Sequence, residues 1–400
     1  MRIIIQKFGG TSVSTKEKRE QVVAKVKNAI SEGLSPVVVV SAMGRKGEPY
    51  ATDTLLSLID NDFKANNLQS TDMLMCCGEI ISCVLMSNLL INEGIQAVSL
   101  TGGQAGIITN NDFSKADLIY NKNKEIKGIL ESGKIPVVAG FQGITEDGYL
   151  TTLGRGGSDT SACILGESLN AESVEIYTDV DGIMTADPRI VSDASLIKTL
   201  SYSEVFQFSD QGARVIHPRA VECARKSKIP VVVKNTMSKS KGTLINAYGD
   251  ISHKSAISGI THLNNRIQVT IRLKENKDKP NYRTLLDVLA INNISLDLIN
   301  IFPTEQIFTI DSCKKENLEQ VLKESDIKYS VIGNCSTIAI VGVGMSGVPG
   351  IMAKVINTLS DESIEILQTA DSNITIWCLI KSEYVNKALN LLHNAFKLNE

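Results

Sequence analysis

No Cys-x-x-Cys pair occurs among the eight cysteines of this 400-residue chain, and its four histidines are scattered. That excludes the spacings of zinc ribbons and thioredoxin-like redox sites, and a histidine metal centre is not expected. The phosphate-binding pattern GxxxxGK[ST] is absent, which excludes a P-loop nucleotidase. There is no Lys/Arg block, and the formal net charge is −3, so no nucleic-acid partner is expected. No apolar run is read as reaching the roughly 18 residues that suggest a membrane span. At the N-terminus the apolar run is only Ile3 to Ile5, without the layout of a leader, so no membrane partner and a cytoplasmic location are expected. Cys76, Cys77 and Cys83 sit in MLMCCGEIISCVLM, an apolar stretch of helical character, and are read as small core hydrophobes.

Hydrophobic residues make up 43% of the chain, ample for a sizeable core and for two or three domains. Six short runs rich in β-branched residues recur before about residue 246: IIIQ (3–6), VVVVSA (37–42), AVSLTG (97–102), IPVVAGF (135–141), SVEIYTD (173–179) and IPVVVKN (229–235). Segments long enough for helices, such as Ser14–Ser31 and Thr54–Glu93, lie between most of them. This alternation predicts an α/β domain, a largely parallel sheet sandwiched by helices, with functional loops at the C-terminal ends of its strands. Ala247–Ser258 is short and polar and reads as a linker. Beyond it the chain repeats at an offset of 70: ISLDLI (294–299) lies over IEILQT (364–369), and QIFTI (306–310) over IWCLI (376–380). Each copy reads strand, helix, strand, strand, helix, which is a small α+β unit used twice. The second copy ends too soon to supply a fourth strand, so SAISGIT (255–261) is expected to pair with its sheet and interlock the two.

Four segments carry candidate chemistry. In KFGGTS, a strand ends at Lys7, Phe8, Gly9 and Gly10, which suits backbone N–H groups close to phosphate oxygens; a tight turn capped by Thr11 or Ser12 is the plainer reading. TTLGRGGSDTSA (151–162) places three glycines, Arg155, Asp159 and five hydroxyls before an apolar helix. A helix N-terminus and an arginine fork both bind anions, and this run is richer than a bare turn requires. YTDVDGIMTADPR (177–189) follows a strand with acids and hydroxyls and suits a nucleotide, although Asp-Gly and Asp-Pro also mark ordinary turns. Glu79, inside CCGEIIS, is either a half-buried acid paired with a cation or a substrate contact. GVGMSG (342–347) matches GxGxxG, but only 53 residues follow it, too few for a dinucleotide fold.

Taken together, KFGGTSV, VVVVSAMG, TLGRGGSDTSA, the YTDVDGIMTADPR loop and QGARVIHPRAVECA resemble the aspartokinases of the amino acid kinase family, over essentially the whole chain. The C-terminal repeats resemble paired ACT domains of ferredoxin-like fold, and SAMGRKGEPYATD is most similar to the diaminopimelate-sensitive bacterial group. The resemblance implies a catalytic domain over 1–246 and ACT domains over 262–333 and 335–400. It implies ATP-dependent phosphorylation of L-aspartate, with Mg²⁺ bridging the phosphates. Lys7 and Asp159 would be catalytic, and Ser41, Thr52, Glu79, Arg155, Gly156 and Ser158 would hold aspartate. Lys7, Phe8, Gly9, Gly10, Thr178, Asp179, Met184 and Arg189 would hold ATP, with methionine at 184 where many relatives carry tyrosine. An amino-acid effector (diaminopimelate, lysine or threonine) would meet Asn300, Met345, Val348, Pro349, Gln368 and Asp371, and the ACT domains would form a homodimer or higher homo-oligomer. Another carboxylate kinase, or a non-catalytic sensor, is the alternative reading.

Overall fold

The structure, a computed structural model, describes residues 1–213, 215–250, 256–276, 284–343, 345 and 348–399. The chain forms two compact units. The first comprises Met1–Ile183, Leu196–Ser209 and Arg214–Ser252; the second comprises Met184–Ser195, Asp210–Ala213 and His253–Glu400.

All six expected strands lie in one eight-stranded sheet of the first unit. Its order is Thr199–Ser201, Thr243–Asn246, Val231–Asn235, Ser173–Thr178, Ile3–Phe8, Ser35–Val40, Ile135–Ala139, Ala97–Leu100. Only Val231–Asn235 and Thr243–Asn246 run antiparallel to each other. Val37 to Val40 are completely buried, the continuous apolar run that a parallel strand covered on both faces needs. Because the parallel strands point one way, the loops after Phe8, Val40, Ala139 and Thr178 gather at one edge. A second, four-stranded sheet made by Ile107–Thr109, Leu118–Asn121, Gln142–Ile144 and Leu150–Thr152 has no counterpart among the expected strands.

The expected helix over Thr54–Glu93 is divided into Thr52–Leu56, Asn61–Asn66 and Leu68–Asn92. Asp60 starts the middle piece by accepting the Phe63 N–H at 2.7 Å, a cap that a continuous helix would forbid. Leu68–Asn92 also corrects the expectation of no long apolar run. Its 25 residues include an 18-residue window of mean hydropathy 2.0, long and apolar enough to cross a membrane. Here it is a core helix, burying Cys76, Cys83, Met86 and Leu90 inside the unit, while Cys77 is exposed rather than buried.

The two repeats of the second unit share one six-stranded sheet, ordered Asp297–Ile301, Glu305–Asp311, Gly259–Arg272, Ser330–Val341, Thr375–Lys381, Gln368–Asp371. Gly259–Leu263 pairs antiparallel with Val341–Thr337 of the second repeat, and the same strand continues from Arg266 to Arg272 against Asp311–Glu305 of the first. Of the SAISGIT segment, Ser255 lies outside the described residues, and the strand begins at Gly259. The first helix of the first repeat is described as Leu285–Ile291. Each repeat has its own core, one around Phe308, Leu318 and Leu322, the other around Ile338, Ile340, Leu389 and Leu392. Ala186 and Val191 belong to the second core.

Candidate active site

Lys7 and Asp159 meet. Lys7 Nζ lies 2.5 Å from Asp159 Oδ1, and both side chains are close to nine-tenths buried. The strand Ile3–Phe8 supplies the lysine and the first turn of the helix Gly157–Ser168 supplies the aspartate, so KFGG and GRGGSD form one site. Lys7 is thus buried although it stands near a strand end. Two expectations change here. Phe8 is fully buried with its ring stacked on Tyr177 at 4.7 Å, so it offers no face to a nucleotide. Gly9 donates its N–H to the Tyr177 carbonyl at 3.1 Å, extending the sheet by one bond, so this group is not free for a phosphate. Gly10 N–H has no acceptor among the described residues, and a Cβ there would lie 2.5 Å from the Ala42 carbonyl oxygen. Only glycine fits that approach.

The loop from Ser41 to Thr52 is held at its start by the strand Ile3–Phe8 and the glycines that follow it. Ser41 N–H donates to the Phe8 carbonyl at 3.1 Å, and Gly44 N–H donates to that of Gly10 at 3.1 Å. At Gly78 the helix Leu68–Asn92 comes so near that a Cβ would sit 2.8 Å from Ala42 Cβ and 3.0 Å from the Tyr50 carbonyl oxygen. The next residue, Glu79, is thereby inserted beside the loop. It is 3% exposed, and its Oε1 accepts the Ala42 N–H at 3.1 Å. Its Oε2 has no hydrogen-bond partner among the described residues, and burial pushes the carboxyl up to about 8. No cation pairs with it among the described residues, which leaves the other reading, a substrate contact. Ser41 and Thr52 are part-exposed, Thr52 at the first residue of its short helix.

Around TTLGRGGSD, Gly154 and Gly156 take positive φ values of 72° and 74°, which aim the chain into the helix at Gly157. Arg155 between them is exposed and has no ion pair among the described residues. Ser158 is part-exposed in the first helical turn. An arginine standing beside a helix N-terminus in this way can take a carboxylate.

Thr178 and Asp179 close the strand Ser173–Thr178, and Thr178 Oγ1 donates to Asp179 Oδ1 at 3.2 Å. Arg45, which sequence reasoning did not select, pairs with Asp179 at 2.7 Å. Asn235, also unselected, donates to Asp181 at 2.8 Å, and Thr236 N–H donates to the Thr178 carbonyl at 3.0 Å. The available signal was the strand IPVVVKN, which ends on polar residues as IIIQKF does. Met184 and Arg189 follow Thr178 and Asp179 along the same run and are grouped with the second unit. There Arg189 is occupied within its own turn, its guanidinium donating to both Asp187 oxygens at 2.7 and 2.9 Å. The stretch is anchored in that unit by Ile260 N–H to the Thr185 carbonyl at 2.7 Å and by Thr185 to His393 at 2.9 Å.

The residues expected to meet an effector divide into two groups. Gln368 Nε2 donates to Asn300 Oδ1 at 2.6 Å, and Gln268 donates to Gln368 Oε1 at 3.0 Å. Met345, Val348 and Asp371 instead line a cavity of about 350 Å³ with Gly350, Met352 and Ser372. Gln368 and Asp371 are three apart in one strand, so their side chains leave opposite faces. Pro349 is exposed beside the cavity without lining it, and Gly344, Ser346 and Gly347 of this loop lie outside the described residues.

Known proteins answer to both units. The family model "Amino acid kinase family" matches residues 2–235, and "ACT domain" matches 330–394. Aspartokinase 1 of Bacillus subtilis is 43% identical over 100% of both chains. The aspartokinase of Geobacillus stearothermophilus is 38% identical, over 100% of this chain and 98% of its own. Among solved structures, E. coli aspartokinase III in complex with aspartate and ADP superposes with a TM-score of 0.78 at 24% identity, covering 99% of this chain and 100% of that one. At that identity the likeness concerns the fold.

Proposed function

We propose, from the premise that this chain belongs to the aspartokinases of the amino acid kinase family, that it transfers the γ-phosphoryl group of ATP to the β-carboxylate of L-aspartate. The product is 4-phospho-L-aspartate, which enters lysine, diaminopimelate, threonine and methionine biosynthesis. The observation that carries the reading is the buried Lys7–Asp159 pair joining the two glycine motifs. A carboxylate oxygen attacks phosphorus in line, the bond to the β-phosphate oxygen breaks, and ADP leaves with the electron pair. No proton moves, so positioning and charge neutralisation are the whole task. Lys7, oriented by Asp159, faces the charge spreading over the transferring group, and Gly10 N–H supplies a donor beside it. Arg155 takes the α-carboxylate of aspartate with Gly156 and Ser158 at the helix start. Glu79 takes the ammonium, with Ser41 and Thr52 on the same loop.

Thr178 and Asp179 line the nucleotide side with Arg45; Met184 and Arg189, further along the same run, and the Phe8 backbone remain proposed contacts to ATP. Mg²⁺ would come with ATP and would supply charge neutralisation at its phosphates. The nearby carboxylates suit that arrangement, since Asp159 is already paired with Lys7 and Asp179 with Arg45. We place the enzyme in the cytoplasm, with free ATP and aspartate.

Coupled ADP release with aspartate, glutamate and acetylglutamate tests the activity. Turnover with aspartate is expected; turnover only with acetylglutamate, or none, returns the alternatives of another carboxylate kinase or a sensor. Arg155→Ala is expected to raise the KM for aspartate far more than that for ATP, because it binds substrate in ground and transition states alike. Equal changes in both KM values would remove that role.

The Asp371 cavity is our choice for feedback control. Its residues offer a carboxylate for an effector ammonium and a helix entry at Gly350 for a carboxylate. Titration with meso-diaminopimelate, lysine and threonine, alone and in pairs, is expected to show inhibition that Asp371→Ala relieves. A couplings of ~1–3 kcal/mol is typical of such control. Inhibition unchanged in Asp371→Ala would place the effector elsewhere. Homo-oligomerisation through the ACT repeats is part of this proposal, and light scattering measures it.

A further inference from the structure

The helix Pro218–Ser227 begins in a way that its own capping does not explain. His217 is its N-cap, with Nδ1 accepting the Arg219 N–H at 3.3 Å, and Pro218 occupies the first turn. That much any helix start needs. The side chains then reach the glycine loop. Arg219 donates from Nη1 to the Leu153 carbonyl at 2.6 Å and from Nη2 to Asp117 Oδ1 at 2.7 Å. A Cβ on Gly154 would stand 3.3 Å from that same Nη1. On the other side of Arg155, a Cβ on Gly156 would stand 2.2 Å from His217 Cβ and 2.3 Å from Cγ. Both flanks of Arg155 are therefore pressed by one short segment, His217 to Arg219. Arg155 itself points at no protein partner among the described residues. Burial holds the His217 imidazole below the usual histidine value, so it packs as a neutral ring.

We propose that His217 and Arg219 are positioning residues for aspartate binding, holding the Leu153–Gly157 turn so that Arg155 and the start of the helix Gly157–Ser168 face one carboxylate. The inference rests on the kinase reading above. Arg219 does not touch substrate; it ties the Leu153 carbonyl at the start of the turn to Asp117, adding to the turn's own bonds from Leu153 N–H to the Phe141 carbonyl at 2.8 Å and from Gly157 N–H to the Gly154 carbonyl at 2.9 Å. Small displacements of a substrate-holding group weaken binding steeply.

The experiment is steady-state kinetics with aspartate and ATP varied separately, on the wild-type chain, Arg219→Ala, Arg219→Lys and Asp117→Ala. Arg219→Ala is expected to raise the KM for aspartate roughly tenfold or more, with kcat and the KM for ATP within about threefold of wild type. Arg219→Lys is expected to recover only part, because an ammonium cannot hold the Leu153 carbonyl and Asp117 as a fork does. Asp117 is largely exposed, so Asp117→Ala keeps the fold and should raise the aspartate KM in the same direction by less. If Arg219→Ala does not fold, Asp117→Ala and Arg219→Lys decide the matter by the same KM split. Aspartate KM values within twofold of wild type in the folded variants overturn the positioning role, as does an equal rise in both KM values. Absence of aspartate-dependent ADP release in the wild-type chain overturns the kinase reading and this role together.

Discussion

Lys7→Ala is expected to lower kcat by roughly 10²–10³, the loss that follows removal of one group aimed at developing charge. The structure adds a second effect. Asp159 is buried against Lys7 at 2.5 Å, so the substitution leaves a carboxylate without its cation. Breaking a buried pair from one side costs about 3–5 kcal/mol, and the variant should melt lower. The two effects separate in the double variant Lys7→Ala/Asp159→Asn, where the stranded charge is gone. Its melting temperature should recover most of the loss while kcat stays low. Near-normal kcat in either folded variant would remove Lys7 from the chemistry. Recovery of kcat together with stability would make the pair a structural strut instead.

Glu79→Gln is expected to raise the KM for aspartate by roughly 10²-fold, since removing one partner of a buried charge pair costs several kcal/mol. The same variant should be the more stable protein at alkaline pH. The Glu79 carboxyl is raised from an ordinary value of 4.5 to about 8 by burial. A group raised on folding stabilises fully below its unfolded value, and that contribution is lost as pH climbs to and through about 8. Glutamine has no proton to lose and escapes the decline. Below about 8 the free enzyme keeps Glu79 neutral, so binding an ammonium there must release a proton, and the wild-type KM for aspartate should fall as pH rises toward that value. In Glu79→Gln this pH dependence should flatten. A folded Glu79→Gln protein with wild-type aspartate KM would make the acid structural. A stability gain without the kinetic loss would have the same meaning.

Much of the first unit could be read from the chain because its evidence is local. Six β-branched runs became six strands of one sheet, since a parallel strand covered on both faces must be apolar along its whole length. Lys7, Arg155 and Asp159 stood out for the same reason: a charged residue among glycines at the end of such a run is visible without neighbours. The repeats were visible through their shared register of apolar positions. What the sequence did not contain was distance. Glu79 is buried without a cation among the described residues because Gly78 lets a helix close on Ala42 from 36 positions away in the chain, shutting water out. The Phe8 ring turned from ligand to core because Tyr177, on a neighbouring strand, lies under it. Gln368 and Asp371, close in sequence, point to opposite sides of one strand. The run 177–189 reads as a nucleotide loop, yet its Ala186, and Val191 just beyond it, are buried with the second repeat. Residue type and periodicity determined which segments become strands and which residues carry charge at their ends. Desolvation, close approach and the partner each charge finds depend on surfaces brought together from far along the chain, and only the tertiary structure decided those.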